Sequence, residues 1–250
     1  MSGGHRRRIL GRTRALIGTA AGGLRVAAWL IARSGSATAR GIERRLFKRL
    51  LRGFGLGVEV RGSPAPRNGT LFVANHISWA DIALFGSVID AHFVAKTEVA
   101  DWPVIGALAR RLGPVFVARE QRHGVSEQAD AIRERLRAGE CVILFPEGAT
   151  SDGSDVLPFR TSLFAAADAA TRVQPVAISY AAPDGSALPA SRLAEIGWTG
   201  EEGLLANAAA LARHATRGIL HFLPPVDPRD YPDRKKLADH ARASIRDARL

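Results

Sequence analysis

His76 and Asp81, five positions apart in "NHISWAD", are residue types that together can take a proton from a hydroxyl. A carboxylate that accepts from one imidazole nitrogen fixes the ring tautomer and stabilises the imidazolium, leaving the other nitrogen free to act as a base. The apolar run "LFVA" before them predicts a buried strand, so His76 stands just beyond its end. Ser78 is placed to cap a helix starting at Trp79, with Asp81 in its first turn, and strand and helix then fold Asp81 back toward the imidazole. The Ser78-x-x-Asp81 spacing is also that of a capping box, so one carboxylate has two possible duties.

Two further charged side chains sit where a strand ends. "CVILFPEG" runs directly into Pro146, Glu147 and Gly148, and "GPVFVARE" presents Arg119 in the same way. Active sites of α/β folds collect at such ends, and a planar guanidinium suits phosphate or carboxylate. A solvated loop Glu and a surface-paired Arg are the bland alternatives. Other chemistries find less support: "GFGLGVEV" is followed by a strand rather than the helix a dinucleotide loop needs, no G-x-S-x-G elbow exists, and the histidines do not cluster with cysteines or carboxylates at zinc spacing.

The elements that must position these groups alternate along the chain. "VEVR", "TLFVANH", "HFVAK", "PVFVAR", "CVILF", "VQPVAISY" and "GILHFL" read as strands. "SWADIALFGS", "EVADWPVIGALARRL", "GVSEQADAIRERLRAG", "FRTSLFAAADAA", "EEGLLANAAALARHA" and "DRKKLADHARASIRDA" read as helices between them. This predicts an α/β fold: a mixed, largely buried β-sheet flanked by helices. A chain of 250 residues with 46% hydrophobic content can bury such a core in one domain, set here at 53–250. The single Cys141 lies in an apolar run and reads as a buried, inert thiol, in keeping with a reducing cytoplasmic setting.

The formal charge of +11 is not spread evenly. Residues 1–52 hold thirteen Lys/Arg against Glu43 alone, a net +12, whereas residues 53–250 hold 22 against 23, a net −1. A near-neutral globular part lacks the basic face that nucleic acid needs. Within 1–52, residues 15–32 are apolar but interrupted by Arg25, at the border between spanning a bilayer and lying shallowly in it. "GIERRLFKRLLR" places Ile42, Leu46, Phe47, Leu50 and Leu51 on one half of a helix and Arg44, Arg45, Lys48, Arg49 and Arg52 on the other. That is the pattern of an amphipathic membrane-binding helix, with an ordinary packing helix and an export leader as its alternatives. Clustered arginines favour anionic headgroups on the cytoplasmic side.

In this order the blocks resemble the glycerolipid (lysophosphatidate acyltransferase-like) acyltransferase family: "NHISWAD" is similar to its first motif, "GPVFVAR" to its second, "FPEG" to its third and "VQPVAIS" to its fourth. "AKTEVADWPVIG" is similar to the segment between the first two, and the likeness covers roughly Val58 to Tyr180. The resemblance implies an O-acyltransferase in which His76, oriented by Asp81, deprotonates a lysolipid hydroxyl that attacks an acyl thioester carried by acyl carrier protein or coenzyme A. It implies acceptor-head contacts from Arg119, Glu147 and Gly148, with Lys96 by analogy, no metal and no cofactor beyond the thioester co-substrate. It also implies work at the cytoplasmic face of the inner membrane, peripheral or monotopic, on membrane lipids. One departure concerns the acceptor: many members read Thr-Arg after the third-motif Gly, and this chain has Ala149 and Thr150, leaving a Thr hydroxyl in place of a phosphate-binding cation. Lysophosphatidate stands as the first expected acceptor and lyso-ornithine lipid as the second. A noncatalytic peripheral lipid-binding protein of the same fold is the non-enzyme reading.

Overall fold

The computed structural model describes residues 37–96, 115–117, 122–199 and 203–249. Each of the seven expected strands is present: β1 (Leu56–Gly62), β2 (Thr70–Ala74), β3 (His92–Lys96), β4 (Val115–Val117), β5 (Val142–Leu144), β6 (Arg172–Ala181) and β7 (Thr216–Phe222). They form one sheet in the order β1-β7-β6-β2-β5-β3-β4. All neighbours run parallel except β6 and β7, which makes the sheet mixed. The central strand β2 is buried at every residue, as an unbroken apolar run in a covered parallel sheet should be.

Helices cover both faces. On one lie α1 (Ala37–Gly53) and α2 (Ala80–Val88), packed over Phe72, Ile143, Ile178, Leu220 and Phe222. On the other, α3 (Arg122–Arg137), a 3₁₀ helix over Thr161–Ala169, and α6 (Arg234–Asp247) close over Leu71, Val73, Val142 and Leu144. Successive residues of β2 and β5 thus feed opposite cores, as the two-residue period of a strand requires. Two shorter helices, α4 (Ala190–Ile196) and α5 (Leu204–Leu211), follow β6. The expected helix around residues 98–112 lies outside the described residues.

Three details differ from expectation. The "FRTSLFAAADAA" segment winds as a 3₁₀ helix rather than an α-helix. Its buried residues are Phe164, Ala166 and Ala167, a set that does not by itself distinguish the two windings. Helix α4 was not foreseen, because among its residues only Ile196 is buried and no apolar period marks it.

The third difference concerns α1. The segment 1–52 was expected to stand apart from the domain, yet Phe47 and Leu51 at its end are core residues. The Phe47 ring lies flat against Gly86 of α2, where even a Cβ would fall 2.3 Å from a ring carbon. The apolar half of α1 is therefore divided: Phe47 and Leu51 go inward, Ile42 and Leu46 are half-buried, and Leu50 stays exposed beside Arg44, Arg45, Lys48 and Arg52. An ion pair between Arg40 and Asp90 at 2.8 Å, shared by Arg67 at 2.6 Å, ties the start of the helix to the domain. Residues 15–32 lie outside the described residues. Among the described residues no helix is long and apolar enough to cross a membrane.

Candidate active site

Strands β2 and β5 run side by side, with Val73 opposite Leu144, so the segments that leave their carboxyl ends emerge together. Those segments are Asn75–His76 and Phe145–Pro146–Glu147. Asn75, fully buried, anchors the first: its amide nitrogen donates to the Ile178 carbonyl (3.1 Å) and its oxygen accepts from the Ile178 N–H (2.7 Å). His76 then turns out of the sheet and stacks on Phe145, ring centroids 4.0 Å apart and 13° from parallel.

Nδ1 of His76 is 2.8 Å from Oδ2 of Asp81. An ionised carboxylate only accepts, so Nδ1 carries the proton and the Nε2 lone pair is free. The same Oδ2 accepts from the backbone N–H groups of Ile77 (2.7 Å) and Ser78 (2.9 Å). One oxygen thus makes both the contact of a capping box and the contact to the imidazole. The cap differs in detail: α2 begins at Ala80 after a helical Trp79, and the Ser78 hydroxyl only weakly accepts from the Ala80 N–H, at 3.4 Å. The other Asp81 oxygen accepts from the Tyr180 hydroxyl at 2.6 Å. Asp81 is wholly buried, and burial beside it drives the Tyr180 hydroxyl well above its usual range, so Tyr180 donates and does not ionise.

The loop after β5 grips the main chain of His76 at both ends. Glu147 Oε1 accepts from the His76 N–H at 2.7 Å, while the Ser151 N–H and hydroxyl donate to the His76 carbonyl at 3.0 and 3.1 Å. Glu147, expected at the acceptor's head, is turned inward: it is 4% exposed, and its second oxygen accepts from the Leu157 N–H at 3.1 Å. Burial pushes its carboxyl up to about 7, although both backbone donors pull the other way. Thr150 also faces protein, its hydroxyl donating to the Trp198 carbonyl. Gly148 turns the chain at φ +73°, a conformation costly for any side chain. Lys96 closes β3, with its side chain outside the described residues, and Arg119 lies outside them altogether.

Several supporting residues had no signal in the sequence. Asn75 and Tyr180 act through partners about a hundred positions away, and neither follows a recognisable spacing. Arg242 in α6 and Arg249, just beyond its end, stand two helical turns apart in sequence. Arg242 donates to the carbonyls of Val156 and Leu157, Arg249 to that of Gly153, and together they hold the loop that supplies Leu157 to Glu147. A wall beside the site comes from Trp79, whose indole N–H donates to Asn207 (2.9 Å), and from Trp198, whose N–H donates to the Ile77 carbonyl (3.0 Å). Among the described residues no three of His, Cys, Asp and Glu converge in a way that could hold a metal ion. What the arrangement can do is accept a proton at Nε2 of His76 and stabilise the resulting charge through Asp81.

The family model described as Acyltransferase matches residues 57–179, the span that holds His76, Asp81 and the loop after β5. The lyso-ornithine lipid O-acyltransferase of Rhodobacter capsulatus is 40% identical over 200 residues, covering 77% of this chain and 70% of that protein. The chain belongs to the acyltransferase family. The 1-acyl-sn-glycerol-3-phosphate acyltransferase of Neisseria meningitidis is 35% identical over 194 residues, covering 76% of this chain and 74% of that protein. Among solved structures, the 1-acyl-sn-glycerophosphate (LPA) acyltransferase of Thermotoga maritima superposes with a TM-score of 0.61 at 26% identity, covering 90% of this chain and 86% of that one. This acyltransferase therefore shares both sequence and sheet with enzymes that esterify a hydroxyl, and it is an O-acyltransferase.

Proposed function

We propose that the enzyme moves an acyl group from a thioester, on acyl carrier protein or coenzyme A, to the hydroxyl of a lysolipid, with lyso-ornithine lipid ahead of 1-acylglycerol-3-phosphate as acceptor. The observation that carries the reaction is the His76–Asp81 pair, held with Nε2 free at the end of β2. Nε2 takes the proton of the acceptor hydroxyl as its oxygen attacks the thioester carbonyl. The tetrahedral adduct collapses with rupture of the C–S bond, and the imidazolium returns its proton to the departing thiolate. Asp81 stabilises that imidazolium. Glu147 and Ser151 keep the His76 main chain in place, so that much of the rate comes from positioning.

The order of acceptors is the reverse of the one expected from sequence. Two observations support it: the R. capsulatus protein is named for lyso-ornithine lipid, and Thr150, which replaces the family's arginine, has its hydroxyl engaged by Trp198. The N. meningitidis and T. maritima proteins, named for lysophosphatidate-type acceptors, support the second reading. Thiol release from acyl thioester should depend on added lysolipid, with a higher kcat/KM for lyso-ornithine lipid than for 1-acylglycerol-3-phosphate. Thiol release that ignores the acceptor would replace transfer with thioester hydrolysis. A protein that binds both lipids and releases no thiol would be a noncatalytic binder.

The setting we infer is the cytoplasmic face of the membrane, with the exposed strip of α1 against anionic headgroups. Each basic residue near such a surface adds about 1 kcal/mol. Changing Arg44, Arg45 and Lys48 together to Glu should therefore weaken binding to anionic vesicles by at least about a hundredfold at low salt, and the wild-type affinity should itself fall as salt rises. Because Phe47 and Leu51 are left intact, the thermal melt should hardly move. Equal partitioning of the two proteins in a sedimentation assay would remove α1 from the membrane contact. Deleting the whole of 1–52 is a poorer test, since it strips two side chains from the core.

A further inference from the structure

If Thr150 is occupied and Glu147 is turned inward, the third block offers an acidic head group no cation of its own. The chain supplies one from twelve residues further on. Arg160 leads into the 3₁₀ helix, and its N–H donates to the Pro146 carbonyl at 2.9 Å, which brings it back over the Pro146–Gly148 turn. Its guanidinium rests on Gly148: a Cβ on that glycine would lie 2.8 Å from both Cζ and Nε. The absent side chain is thus what allows the arginine its seat. The turn beneath it is the one whose next residues grip His76.

Two further observations bear on what Arg160 is for. It is exposed, and among the described residues its guanidinium has no hydrogen bond or ion pair, which leaves its donors open to a ligand, unlike those of Arg242 and Arg249, which hold the neighbouring loop. Glu147, in the turn itself, is buried, with both oxygens taken by backbone donors. A planar fork laid open on the turn that holds the His76 main chain suits an oxyanion that accepts two hydrogen bonds.

We propose that Arg160, seated on Gly148, binds the anionic group of the acceptor's head and takes over the role left open at Thr150. The shared ligand chemistry is a carboxylate or phosphate within reach of the hydroxyl being acylated; ornithine supplies the first and a glycerol phosphate the second. This rests on the acyltransfer reading above. Arg160 selects and orients the acceptor and takes no part in the proton transfer.

The test measures kcat and KM for three acceptors, lyso-ornithine lipid, 1-acylglycerol-3-phosphate and the uncharged 1-monoacylglycerol, with wild type, Arg160→Ala and Arg160→Lys. Arg160→Ala should raise the KM for one or both anionic acceptors about 10- to 100-fold, the usual scale for a lost charge-assisted pair. It should leave the donor KM and the monoacylglycerol rate within about threefold. Lys should restore part of the loss. A defect with only one anionic acceptor identifies the head group that Arg160 meets. An equal defect with all three acceptors, or none with either anion, overturns the proposal. Wild-type enzyme that releases no acceptor-dependent thiol overturns instead the acyltransfer reading, and this inference with it.

Discussion

His76→Ala should leave almost no acyl transfer, and Asp81→Asn should retain no more than about one part in 10² of the wild-type kcat, from the usual size of general-base effects. The two losses have different origins. Without the imidazole nothing removes the hydroxyl proton, whereas Asn at 81 keeps a neutral oxygen that can still accept from His76, Ile77 and Ser78 but cannot balance an imidazolium. Neither change should unfold the protein. In the alanine variant Asp81 keeps three donors, Ile77, Ser78 and Tyr180. In the asparagine variant the amide nitrogen faces Tyr180, whose hydroxyl can reverse and accept. Thiol release with acyl thioester and lysolipid, alongside circular dichroism, is the measurement. Transfer near the wild-type rate by a folded His76→Ala protein would refute the mechanism.

Glu147→Ala is expected to destabilise the fold strongly. It removes the acceptors of two backbone N–H groups, those of His76 and Leu157, each worth about 1–3 kcal/mol when left buried and unpaired. The sum is a large share of a typical folding free energy of about 5–15 kcal/mol. Glu147→Gln should cost less, since its carbonyl replaces one acceptor while its amide nitrogen meets the other N–H. The wild-type carboxyl also predicts a pH dependence. Burial raises it from the ordinary 4.5 to about 7, so the folded chain holds the proton more tightly than the unfolded one. The stabilisation is complete below about 4.5, declines as pH rises through 7, and amounts to about 3 kcal/mol over that window. Asp152, Asp227 and Asp233 are shifted downward, so their contributions change in more acidic solution and leave this window to Glu147. Urea midpoints of wild type and Glu147→Gln between pH 5 and 8 isolate the effect: the wild-type curve should slope downward relative to the variant. Parallel curves would mean that Glu147 titrates alike in the folded and unfolded chains.

What the sequence disclosed depended on whether the cause was local. All seven strands were legible because each is a short β-branched or aromatic run bounded by turn residues, and β2 could be read as buried because its run from Leu71 to Ala74 is apolar. His76 and Asp81 were legible because a strand end and one helical turn suffice to bring them together. Asn75, Ser151 and Tyr180 were not, since each acts on a partner that only the finished sheet brings near. Glu147 was found but its direction was misjudged, because nothing in "FPEG" records that two backbone N–H groups wait beneath it. Helix α1 was legible only in part, for a related reason. An amphipathic pattern shows which half is apolar, not whether lipid or protein covers it, and here Gly86 makes room for Phe47. The 3₁₀ segment has alanines compatible with either winding, and no spacing in the sequence decides between them.

The pairing of β1 with β7 governs how the chain can be made. Leu56 meets Thr216 and Gly62 meets Phe222, partners that follow 160 residues later. At about 5–20 residues per second a ribosome needs roughly 8–30 s to supply them. Through that interval β1 is an open edge, with Val58 and Val60 beside it, and β2 likewise waits for β5 and β6. Contacts this distant form slowly once they can form at all. Until they do, an unfinished sheet offers its open edges to any other like it.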